Sequence, residues 1–142
     1  MAKLLLSLDE EYDFLLIGIS CHAKDYRLCW ELNKLLNFDL TRANDLEIIT
    51  NNRNKKNEIN SYSFYEYGDE EYYLDYYLIA NRGNDAYLIP EQKKVDFFLM
   101  IKGNLSEQNL KKLLININSL SLVLTSFTIN PNELKSKQNL II

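Results

Sequence analysis

The sequence predicts an α+β fold: a single domain with a mainly antiparallel β-sheet and two α-helices packed on one face. Three observations carry this reading. Strand-like segments outnumber helix-like ones, most are joined by tight turns, and the apolar period switches to 3.6 in two places, after Asp25 and after Ser106. At 142 residues the chain has the length of one domain. It divides into a folded body, residues 1–131, and a C-terminal tail, 132–142, whose apolar Leu140-Ile141-Ile142 end calls for a docking site.

Each element follows in order. Lys3 to Leu8 reads as a short strand with Leu4, Leu6 and Leu8 on one face, and Asp9-Glu10-Glu11 turns the chain. Phe14 to Ile19 is apolar except for Gly18, which predicts a central strand covered on both faces, with a buried helix as the competing reading. From Asp25 to Asn37, Leu28, Cys29, Leu32, Leu35 and Leu36 share one helical face. Tyr26, Trp30 and Asn33 lie opposite, so the only tryptophan points away from the main apolar stripe. Asp45 to Thr50 is read as a strand, and Asn51 to Asn57 as a polar, basic loop. Ile59–Tyr67 and Glu71–Ala80 are predicted to form a hairpin turning at Gly68-Asp69-Glu70. After a second turn at residues 81–85, Ala86 to Ile89 begins a strand that Pro90 interrupts, and Val95 to Lys102 resumes it. Ser106 is the N-cap of the second helix, with Leu105 and Leu110 spaced as a hydrophobic staple and Leu110, Leu113, Leu114 and Ile117 as its buried stripe. Leu120 to Ile129 closes the sheet before Asn130-Pro131.

Composition narrows the function. A net charge of −4, 46% hydrophobic and 25% charged residues describe an ordinary globular protein. Two cysteines do not make a disulfide scaffold and suit a reducing compartment. No apolar run approaches the roughly 20 residues that span a bilayer. The N-terminal segment has only Lys3 as a basic lead and does not read as a secretory signal, so a cytoplasmic location is expected.

Catalytic and metal motifs are missing from the sequence. There is no GxSxG, HExxH, P-loop or GxGxxG, and four glycines leave little for a backbone phosphate cradle. Cys21, His22 and Cys29 lack zinc-site spacing, and Cys29 falls in a buried stripe, so no metal or other cofactor is expected. Seven of the ten tyrosines lie between Tyr62 and Tyr77. On the second hairpin strand Tyr72, Leu74, Tyr76 and Leu78 share the better core face, leaving Tyr73 and Tyr77 half exposed on the other. Tyr and Trp anchor interfaces, so Tyr26, Trp30, Asn33, Tyr73 and Tyr77 are the expected partner-binding residues. The competing account of the Trp30 stripe is a C-terminal tail docked over it.

One stretch carries a resemblance. Ile89-Pro90-Glu91, three residues, then Val95-Asp96-Phe97 resembles the signature of the IPExxxVDY family, with Phe97 where the family has tyrosine. The segments Leu16–Ser20 and Asp25–Trp30 are also similar to such proteins, so the resemblance covers nearly the whole chain. The family has no assigned activity, and the resemblance implies no mechanism. The chemical reading of the motif is a carboxylate pair, Glu91 and Asp96, near Arg27, with Asp96 in an apolar pocket as acid or base. The structural reading places Asp96 at a strand entrance, capping backbone or paired with Arg27, Lys93 or Lys94.

The leading expectation is a non-catalytic protein-interaction or regulatory module that binds a protein partner or itself. The alternatives are a small-molecule-binding or enzymatic domain using Glu91 and Asp96, and an RNA- or single-stranded-DNA-binding domain. The element order is similar to ferredoxin-like RNA binders, and Arg53, Lys55 and Lys56 would meet phosphates. The acids at 66, 69, 70, 71 and 75 of the aromatic hairpin oppose that contact.

Overall fold

The computed structural model describes residues 13–50 and 58–142. The predicted strand at Lys3–Leu8 and the whole of the predicted basic loop at Asn51–Asn57 lie outside them. The fold is α+β, with eight strands, β1 (Leu15–Cys21), β2 (Thr41–Arg42), β3 (Leu46–Thr50), β4 (Glu58–Tyr62), β5 (Phe64–Asp69), β6 (Leu74–Ala80), β7 (Phe97–Lys102) and β8 (Val123–Ile129), among the described residues. Helix α1 spans Asp25–Leu36 and α2 spans Glu107–Asn118. Six strands form one antiparallel sheet in the order β2-β5-β6-β7-β1-β8, while β3 and β4 make a separate ribbon. The run β8-β1-β7-β6, with α1 following β1 and α2 joining β7 to β8, has the split βαβ connectivity of ferredoxin-like folds. No helix among the described residues is long and apolar enough to cross a membrane.

The apolar run of β1, broken at Gly18, suits its position between β7 and β8. Ile17 and Ile19 face the helices, where they meet Leu28 and Leu32 of α1 and Leu113 and Ile117 of α2. Leu16 points into a second core with Phe98 and Met100 of β7. Both helices therefore pack on one face, and the other is roofed by Leu88, Ile89, Val95, Leu134 and Leu140. The tail docks on that second face, which leaves the Trp30 side of α1 without it.

Local chemistry sets both helix boundaries. Ser106 Oγ accepts the Asn109 N–H at 3.2 Å and starts α2, and Asn37 ends α1 in the left-handed region at φ 56°.

Several boundaries differ from the sequence reading. The strand expected over Ile59–Tyr67 breaks at Ser63: β2 already occupies the outer edge of β5, so β3 pairs with β4 instead. The hairpin turn lies at Glu70–Tyr73 rather than at Gly68-Asp69-Glu70, sharing only Glu70 with it, because Asp69 Oδ1 collects the Glu71 and Tyr72 N–H groups. The strand expected at Ala86–Ile89 is reduced to one bridge, Arg82 to Tyr87, before a 3-10 turn at Pro90–Gln92. The last two strands start later than expected, at Phe97 and Val123.

Candidate functional site

Two places on the molecule bear on function: the outer face of α1 and the corner where the IPExxxVD segment meets the ends of β1 and β6.

On α1, Tyr26 and Trp30 stand one turn apart and are 63% and 57% exposed. Lys34, one turn further, places Nζ 5.0 Å from the Trp30 ring centre. Arg27 pairs with Glu31 at 3.7 Å on the same helix. Asn33 does not join this surface. Its amide turns inward and holds the loop after the helix, donating to the Leu40 carbonyl at 3.0 Å and accepting the Leu40 N–H at 2.8 Å. A short polar side chain on α1 can reach back to the following loop, and helical spacing alone does not register that loop.

The other two expected partner residues are placed elsewhere. Tyr73 is 86% exposed in the hairpin turn, in the left-handed region at φ 55°. Tyr77 is half-buried on the opposite sheet face from α1, against Phe64 and beneath Lys102. Tyr72, read as a core residue, lies in the turn and is exposed.

At the corner, Asp96 Oδ2 accepts the Cys21 N–H at 2.8 Å, and its Oδ1 is 3.5 Å from Arg82 Nε. The aspartate fixes the end of β1 where the ladder with β7 stops. Its cation is Arg82, not the Arg27, Lys93 or Lys94 that the sequence offered. Glu91 holds Ser136, by its N–H at 2.7 Å and its hydroxyl at 2.8 Å. Glu91, Asp96 and Arg27 thus have separate partners and form no joint constellation.

A cavity of about 300 Å³ opens beside Asp96, lined by Cys21, His22, Lys24, Asp25 and Arg82. Burial pushes the Cys21 thiol up, with Asp96 adding to it, so the group is a thiol rather than a nucleophilic thiolate at neutral pH. Burial also pushes the Asp25 carboxyl up, but the Tyr26 N–H, the Tyr65 and Ser63 hydroxyls and Arg42 outweigh it and hold the group ionised. An ionised, fully bonded carboxylate has no proton to donate. Among the described residues no cluster of three or more His, Cys, Asp or Glu side chains is placed to hold a metal.

The residue the sequence reading missed at this corner is Asn81. It is fully buried, accepts the Ile89 N–H at 2.8 Å and donates to the Gln92 and Val95 carbonyls at 2.9 and 2.8 Å. The IPExxxVD segment is wrapped around this one amide. Neither a protein family nor a curated protein matches the chain.

Proposed function

We propose that the chain is a small, non-catalytic protein-interaction or regulatory module of the cytoplasm, and that it holds a protein partner through Tyr26 and Trp30 of α1. The observation that carries this reading is a tryptophan and a tyrosine exposed side by side on a helix whose other face is anchored in the core. Large amphipathic rings on a rigid element are the usual energetic anchors of interfaces. Docking of the tail, the competing use of this stripe, is on the far side of the sheet. Membership in the IPExxxVDY family belongs to the same proposal and is compatible with a structural role for its motif.

The other readings have less support. Ferredoxin-like RNA binders stack bases on the open sheet face, and here that face lies beneath Leu88, Ile89, Leu134 and Leu140. A reaction at Glu91 and Asp96 lacks convergence of the two groups.

The test isolates a stoichiometric partner from native cells and titrates it, purified, against the wild type and a Tyr26→Ala/Trp30→Ala variant. Loss of a hot-spot pair weakens binding by about 2 kcal/mol or more, roughly 30-fold. Circular dichroism and the melting temperature stay unchanged, because both rings are exposed. Unaltered affinity places the interface elsewhere.

A further inference from the structure

The two ends of the six-stranded sheet are built differently. At one end β2 is two residues long, and its Arg42 is tied to Asp25 and Asp45. At the other end β8 runs for seven residues with β1 as its one strand neighbour among the described residues. Sheet edges are ordinarily blunted with charge, proline or brevity. From Leu113 to Asn132 the chain has no charged side chain, although one residue in four is charged overall.

The hydrogen-bonding directions along β8 are fixed by its partners. Ser126 lies opposite Ile19 of β1, yet its N–H goes to Asn118 Oδ1 at 2.8 Å. Main-chain groups alternate in direction along an antiparallel strand, so Ser126 and Thr128 present theirs away from β1, to an edge that no strand occupies among the described residues. The Ser126 hydroxyl is buried with no hydrogen-bond partner among the described residues. Phe127, between them, lies over Gly18 on the opposite face and is 37% exposed.

We propose that β8 is a pairing edge for a second copy of this chain, the two strands running antiparallel about a two-fold axis at Phe127. That register makes Ser126 and the partner's Thr128 a hydrogen-bonded pair, and the reverse pair follows by symmetry. It sets the two Phe127 rings opposite each other and the Ser126 hydroxyl opposite that of Thr128, both favourable cross-strand pairs. A two-fold axis brings like residues together, so a chain of net charge −4 pairs with itself most readily where it has no charge. Pairing requires Asn118 to release the Ser126 N–H. This surface is separate from Tyr26 and Trp30 and does not depend on their role.

The test is the mass of the full chain by light scattering and sedimentation up to about 200 µM. The wild type moves to twice the monomer mass, and the dissociation constant is insensitive to salt because no charges meet. Phe127→Lys, which sets two cations face to face, weakens the dimer more than tenfold. Thr128→Pro removes only an outward N–H and has the same effect without disturbing the ladder to β1. Asn118→Ala tightens the dimer, and Tyr26→Ala/Trp30→Ala leaves it intact. A wild type that stays monomeric overturns the proposal, including a monomer whose Thr128 amide is protected by another segment of the chain. So does a dimer that survives both β8 substitutions or is lost on substitution of Trp30.

Discussion

A single buried amide does much of the positioning at the corner of the molecule. Both side-chain donors of Asn81 and its carbonyl oxygen are bonded, and its backbone also joins Asp96 and Leu88. Asn81→Ala leaves the Ile89 N–H and the Val95 carbonyl buried without partners, at a cost of about 2–4 kcal/mol. Urea titration reads this as a lower midpoint at unchanged slope. A loss within about 0.5 kcal/mol assigns the corner to apolar packing alone. The sequence marks Asn81 only as a turn residue, because its spacing to residues 89–95 carries no sign that the chain returns there. Gly18 is more legible: it is the one break in an apolar run, and a Cβ there would lie 2.8 Å from Ile129 Cδ1 and 2.9 Å from Val95 Cγ2.

Between elements, the Glu91–Ser136 clasp ties the tail to the 3-10 turn after Ile89. Burial pushes the Glu91 carboxyl up, but its own backbone N–H and the Ser136 N–H and hydroxyl outweigh that and hold it below its ordinary 4.5. A carboxyl lowered by docking stabilises the docked tail fully above the ordinary value. That contribution disappears as pH falls through the lowered value. The Ser136 amide resonance should therefore titrate with a midpoint below 4.5 in the wild type and not in Glu91→Gln. A flat wild-type profile would assign tail docking to Leu134 and Leu140 alone. The helices were legible in the sequence because caps and 3.6-residue stripes are local signals. The split between β4 and β5 was not, since it depends on which strand claims an edge first.

Across the whole molecule, a six-stranded sheet flanked by helices on one side must cover its second face with whatever chain remains. The antiparallel sheet and the two-helix face follow from element order and turn spacing, which is why the fold class was readable. The second face was not, because its cover is made of irregular segments whose apolar residues, Leu88, Ile89, Leu134 and Leu140, have no period. The candidate site was half readable for the same reason: Tyr26 and Trp30 lie on a periodic helix, whereas Asn33 and Asp96 take partners from irregular loops. This cover has a measurable weight. Leu134 and Leu140 are almost fully buried, and burying a leucine stabilises by about 1.5–3 kcal/mol. Deleting residues 131–142 thus removes about 3–6 kcal/mol, a large share of the 5–15 kcal/mol typical of a domain. The shortened chain should bind an apolar dye through the uncovered Phe98 and Met100 and lose solubility on warming. Deleting only Ile141 and Ile142, which are exposed at 44% and 40%, should shift stability by less than about 0.5 kcal/mol. Equal stability of the two truncations would mean that the second face is closed by Leu88, Ile89 and Val95 without the tail.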